Sequence, residues 1–183
     1  MNVPPSPSIP GTLLLAALAL AAFGYAAPAS AKGAEIVGVA SVIDGDTLEI
    51  RGRRIRLHGV DAPESAQQCK DASGRPYRCG QKAALALADK IGRRNVRCQE
   101  RDRDRYKRIV AVCRVGNEDL NAWLASEGLA LAYRTYSRDY VAAEDRAKLT
   151  KAGLWAGEFQ APWDWRKKHR SRNSSNIHLG GNR

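Results

Sequence analysis

Between residues 44 and 64 the chain reads Asp44-Gly45-Asp46-Thr47 and then Arg56-Leu57-His58-Gly59-Val60-Asp61-Ala62-Pro63-Glu64. Asp46 follows a glycine turn, Asp61 ends a run of strand character, and Glu64 stands just past a proline that fixes the bend. Carboxylates brought together raise one another's pKa unless a cation neutralises them. A hard cation with oxygen ligands, calcium or magnesium, meets that need without histidine or cysteine. So placed, a metal polarises a phosphate oxygen and orients a water. An Asp-Gly-Asp segment alone also suits an ordinary turn. Arg56, whose guanidinium fork can hold two phosphate oxygens, gives the cluster its direction.

These groups need a frame. Residues 36–43 are rich in β-branched side chains, and 48–50 and 55–57 alternate apolar with polar across Gly52-Arg53, which predicts a strand followed by a hairpin. Residues 65–78 carry Gly74, Pro76 and many polar groups and read as an irregular loop. In 81–91, Ala84, Leu87, Ala88 and Ile91 share one helical face, with Gly92 as the stop. Two further strands are expected at 96–101 and 109–115, around a charged turn at 102–107. Helices are expected at 120–127, with Asn117 or Asp119 near the cap, and at 140–152. Five strands with a helix between the third and fourth is the order of an OB-like Greek-key barrel. The expected class is therefore α+β, mainly β, with about three helices.

The chain has 183 residues and a formal charge of +11, with a pI near 9.9. Residues 1–31 hold no charged side chain, 13–23 are unbroken apolar, and Ala29-Ser30-Ala31 fits a cleavage site. The run is short for a membrane span, which needs about 20 residues. A signal peptide at 1–31, cleaved near Ala31, is expected, although no Lys or Arg precedes the apolar run. The mature protein would be secreted or periplasmic, monomeric and free of membrane, and all of the excess positive charge would belong to it. Such a charge attracts polyanions. The C-terminal stretch 161–183 contains Trp163, Trp165, the basic cluster 166–170 and a polar end. It is expected to form a basic, disordered tail. Its tryptophans could stack on bases or pin the segment to the body.

The cysteines, Cys69, Cys79, Cys98 and Cys113, form no C-x-x-C pair, and His58, His169 and His178 complete no zinc pattern. In an oxidising compartment an even count reads as two disulfides. Four cysteines allow three pairings. Cys98 and Cys113 lie on either side of the 102–107 turn and could face each other across a hairpin. Cys69–Cys79 would then close the loop after Glu64.

Three short motifs in order carry a resemblance: Ile-Asp-Gly-Asp-Thr at 43–47, Arg-Leu-x-x-Val-Asp-x-Pro-Glu at 56–64, and Asp104-Arg105-Tyr106-Lys107-Arg108, followed by Gly153-Leu154-Trp155. With these spacings the chain resembles the staphylococcal (micrococcal) nuclease family over about residues 35–155, within a domain drawn at 32–160. The resemblance implies a calcium-dependent nuclease that cleaves DNA, RNA or both and leaves 3′-phosphate ends. It implies Asp46, Asp61 and the backbone carbonyl of Ala62, where the family often has Thr, as calcium ligands, with Asp44 behind them. Glu64 matches the general base, and Arg56 and Arg108 match the phosphate-binding arginines. Tyr106 and Tyr133 match positions that touch the nucleotide, and the position of His58 carries no catalytic duty. The alternative is a catalytically inactive nucleic-acid-binding barrel. That alternative would tolerate loss of Asp46, Arg56, Asp61, Glu64 or Arg108, and all five are present.

Overall fold

Alternating burial builds the first sheet. In β1 (Glu35–Asp44), β2 (Thr47–Ile50) and β3 (Arg53–Leu57), Ile36, Leu48, Ile50, Ile55 and Leu57 turn inward and are at most 5% exposed. The structure is a computed structural model that describes Met1 and residues 33–179, so the expected signal peptide and cleavage site lie outside the described residues apart from Met1. Next come β4 (Val60–Asp61), β5 (Gln68–Lys70), β6 (Pro76–Arg78) and helix α1 (Cys79–Ile91). Then follow β7 (Asn95–Arg103), β8 (Ile109–Val115), β9 (Glu118–Asp119), α2 (Leu120–Ser126) and β10 (Leu131–Ala132). The chain ends with α3 (Val141–Thr150), a 3-10 turn at Gly153–Ala156, and α4 (Pro162–Leu179).

Strands pair in the order β3-β2-β1-β7-β8, and β8 returns to pair with β3 in parallel, closing a five-stranded barrel. The expected OB-like architecture is therefore what the chain adopts. Closure removes the sheet edges that would otherwise invite pairing with other chains. Leu87, Ile91, Leu120 and Leu124 seal the barrel with no more than 1% exposure each. Each such side chain stabilises the fold by about 1.5–3 kcal/mol through burial. Helix α2 begins at Asp119, whose side chain accepts from the Asn121 and Ala122 amides at 3.0 Å each, a capping arrangement. Buried Asn121 ties the layers: its amide donates to the carbonyls of His58 (2.9 Å) and Ala111 (3.2 Å) and accepts from the Cys113 N–H (3.1 Å).

Two expectations need correction. The segment 65–78 is not wholly irregular, because β5 and β6 pair within it, Cys69 opposite Tyr77. The segment from 161 is not a disordered tail over its described length, because α4 fills Pro162–Leu179. Pro162 suits the first helical position, where its missing N–H goes unused, and Asp164 in the first turn complements the helix dipole. Trp163 packs with Tyr77, Trp155, Phe159 and Ala161 around the small core of Cys69, Cys79, Leu131 and Leu154. A segment with apolar side chains to bury there does not stay unfolded. Both expected disulfides form, Cys69–Cys79 beside that small core and Cys98–Cys113 directly across β7 and β8.

Candidate active site

Two close approaches fold the carboxylate segments together. A side chain at Gly45 would meet the Ala62 Cβ at 2.6 Å, and one at Gly80 would meet the Glu64 carbonyl oxygen at 1.9 Å. Only glycine lets the Asp44–Asp46 turn lie on Ala62 and lets α1 begin against Glu64. The pairing of β1 with β2 shifts register between Val42 and Asp44, and such irregularities re-aim side chains beside active sites. Asp44 caps the turn by accepting from the Asp46 N–H at 3.0 Å.

Because Ile55 and Leu57 face the core, strand periodicity sends Arg56 the other way. There it bridges two buried carboxylates. Its Nη1 donates to Asp46 Oδ1 at 2.9 Å and its Nη2 to Asp61 Oδ1 at 2.6 Å. Asp46 also accepts from the Ala62 N–H (2.8 Å) and the Thr47 hydroxyl (3.3 Å), so the Ala62 peptide lies against it. Burial pushes the Asp46 carboxyl up to about 7 against the pull of Arg56, and Asp44 and Asp61 add to the rise. Burial disfavours the Arg56 charge too, yet Asp46 and Asp61 together hold its pKa above the ordinary value.

Glu64 is held by Gln67, a fully buried side chain. The Glu64 N–H donates to Gln67 Oε1 (3.3 Å), the Gln67 N–H donates to the Glu64 carbonyl (2.7 Å), and Gln67 Nε2 donates to the Gln160 carbonyl (2.7 Å). Glu64 and Asp61 share a partner absent from the sequence reading. Arg166 of α4 donates from Nη1 to Asp61 Oδ1 (3.1 Å) and Glu64 Oε1 (2.9 Å), and from Nη2 to Asp61 Oδ2 (2.7 Å). Burial opposes its charge, but the two carboxylates outweigh that and raise its pKa.

Across the cleft, Arg108 donates from Nε to Asp104 Oδ2 at 2.7 Å, and its guanidinium lies 5.7 Å from the Tyr106 ring centroid. Tyr106 is 66% exposed. Tyr133 stacks on Trp163, centroids 5.5 Å apart and planes 2° from parallel, and meets Tyr136 edge-on at 4.9 Å. Asp44, Asp46, Arg56, Glu64, Arg108, Tyr106, Tyr133 and Tyr136 line one cavity of about 660 Å³. Asp61 is fully buried behind Arg56 and Arg166. His58 also lines the cavity, 3.6 Å from Asp139.

The donors suit a hard divalent cation, because all are oxygens. As the side chains stand, no three carboxylates, histidines or cysteines among the described residues enclose an ion. Guanidinium groups hold that ground instead, Arg56 between Asp46 and Asp61 and Arg166 between Asp61 and Glu64. Asp46, Asp61 and Glu64 are the carboxylates whose oxygens a hard cation would use here.

A family model described as "Staphylococcal nuclease homologue" matches residues 54–157. The chain belongs to the staphylococcal nuclease family. It is 45% identical over 126 residues to the succinoglycan biosynthesis protein ExoI of Rhizobium meliloti, covering 67% of this chain and 66% of that one. It is 34% identical to protein ParB of Escherichia coli, covering 87% and 94%. It is 33% identical to a micrococcal nuclease of Shigella flexneri, covering 75% and 83%. The family segment contains Arg56, Asp61, Glu64 and Arg108, whereas α4 and Arg166 lie beyond it. One signal could have disclosed Arg166: Trp163, Arg166 and Arg170 recur at helical spacing on one face.

Proposed function

We propose that this protein is an exported, calcium-dependent nuclease that hydrolyses phosphodiester bonds of DNA, RNA or both and leaves 3′-phosphate ends. Nuclease chemistry on nucleic acid follows from family membership. The observation that carries the finer reading is the convergence of Asp46, Arg56, Glu64 and Arg108 on one cleft, with Asp61 bonded to Arg56 behind its wall. Asp46, Asp61 and the Ala62 carbonyl would hold calcium, with Asp44 fixing the turn behind them. When bound, the ion would polarise a phosphate oxygen and orient a water. Glu64, mounted on its Gln67 anchor, takes the proton of the attacking water. Arg56 and Arg108 grip the phosphate from opposite walls, and their donors meet the charge that develops on its oxygens. Tyr106 and Tyr133 form the apolar sides against which the nucleotide lies.

Export rests on the leader read at 1–31 with cleavage near Ala31. It is supported by two disulfides, bonds that persist in oxidising compartments. Among the described residues no helix is long and apolar enough to cross a membrane. The mature protein works as a monomer in the periplasm or outside the cell. The test is incubation of purified protein with DNA and with RNA, in calcium, in magnesium or in chelator, followed by end-group analysis. Cleavage in calcium alone with 3′-phosphate ends is expected. Full activity in chelator, equal rates in magnesium, or 5′-phosphate ends would refute the respective part. No cleavage under any condition would favour the inactive binding barrel.

A further inference from the structure

Arg166 stands 105 residues along the chain from Asp61, on a helix outside the family segment, yet it occupies the centre of the carboxylate cluster. With Arg56 it fills both oxygens of Asp61: Oδ1 accepts from each arginine and Oδ2 from Arg166. The same guanidinium takes one oxygen of Glu64. A cation that binds Asp61 and faces Glu64 needs the space this group fills. The side chain does not reach there by chance of rotamer, because the chain is anchored to the body at two points just before it. Trp163 stacks on Tyr133, and the Gln160 carbonyl just before the helix accepts from buried Gln67, which also anchors Glu64.

We propose that Arg166 is a built-in occupant of the metal position: α4 docks its guanidinium between Asp61 and Glu64, and calcium binds by displacing it. The inference rests on the calcium reading above. A single delocalised charge neutralises two carboxylates incompletely, whereas a divalent ion collects several oxygens at short range. Exchange of one for the other is therefore favourable but lowers the apparent affinity. A ligand that binds only the fraction of molecules with the site open has its dissociation constant raised by the inverse of that fraction. Arg166 thus sets the calcium concentration at which the cleft is armed.

Isothermal titration of calcium into the full-length purified protein, without nucleic acid, tests this through binding alone. Arg166→Gln is expected to tighten calcium by about tenfold or more. Arg166→Lys, whose point charge cannot span both carboxylates, should fall between Gln and wild type. Lys167→Gln removes the same charge from an exposed neighbouring position and should stay within about twofold of wild type. Melting curves establish that each variant folds, and if Gln does not, the comparison of Lys with wild type decides in the same way. Equal or weaker affinity in the Arg166 variants, or equal tightening by Lys167→Gln, overturns displacement while calcium binding itself stands. Absence of calcium binding in every protein overturns both readings.

Discussion

Arg56 and Arg108 bring the same guanidinium into the cleft under opposite constraints. Arg56 is the bridge between two buried carboxylates, with a side-chain exposure of 19%. Arg108 is 31% exposed and pairs with Asp104 in its own turn. Removing one partner of a buried ionic cluster costs about 3–5 kcal/mol, because the remaining charges are left without compensation. A half-exposed pair contributes about 0–1 kcal/mol. Arg56→Ala should therefore lower the melting temperature by on the order of 10 °C, and Arg108→Ala should leave it nearly unchanged. Both should reduce kcat by about 10²–10³ if both meet the charge of the transition state. Paired calorimetry and kinetics check this, and a markedly lower-melting Arg108 variant or a fully stable Arg56 variant would contradict the division of roles.

At the scale of elements, a relay runs from α3 to the carboxylates. Glu144 of α3 accepts from the Ala132 N–H (3.0 Å), Arg134 Nη2 (2.6 Å) and Lys148 Nζ (2.7 Å). Ala132 belongs to β10, which pairs with β4 and sets Leu131 opposite Asp61. Burial alone would push the Glu144 carboxyl up, but the hydrogen bonds from Arg134, Lys148 and Ala132 outweigh it and hold the pKa below the ordinary value. A depressed carboxylate contributes stability that is present above the unfolded pKa, about 4.3, and is lost as pH falls through the folded one. Glu144→Gln should thus melt lower at pH 7 and show a flatter decline than wild type below about pH 4.3. Parallel curves for the two proteins would remove Glu144 from the account. The disulfides act at the same scale. Cys69–Cys79 spans β5 and the start of α1 just after Glu64, and Cys98–Cys113 ties the hairpin that carries Arg108. Reduction should cost about 2–4 kcal/mol per bridge and lower kcat more than it raises KM. An unaltered melting curve in reductant would show the bridges to be dispensable.

For the whole molecule the decisive quantity is the charge of +11. Binding to a polyphosphate chain releases condensed counterions, so affinity should fall on a log-log plot with a slope of about 0.9 for each phosphate neutralised on duplex DNA. KM measured between about 50 and 200 mM salt should rise steeply, and a flat profile would argue against a polyanionic substrate. Deleting residues from Ser171 onward removes Arg172 and Arg183, which follow the docked part of α4 in the sequence. It should weaken binding modestly and leave kcat intact, whereas a collapse of kcat would mean the distal helix belongs to the site.

The barrel and helices α1 to α3 were legible in the sequence because each rests on local signals. Ile55 and Leu57 flank Arg56 at the period of a strand, Asp119 precedes α2 as a cap, and Asp46 and Glu64 follow directly on Gly45 and Pro63. The Cys98–Cys113 pairing followed from the places of the two cysteines on either side of a single turn. What only the tertiary structure decided lies in contacts of long sequence separation. The Gln67–Gln160 bond and the Arg166 contacts with Asp61 and Glu64 join residues about a hundred positions apart. The composition of 161–183 is basic and polar and by itself does not fold. Pro162–Leu179 becomes a helix where Trp163 finds Tyr133 and the small disulfide-bearing core to pack against. Burial and charge compensation are properties of what surrounds a side chain, and for Arg166 those surroundings exist only once the barrel has closed.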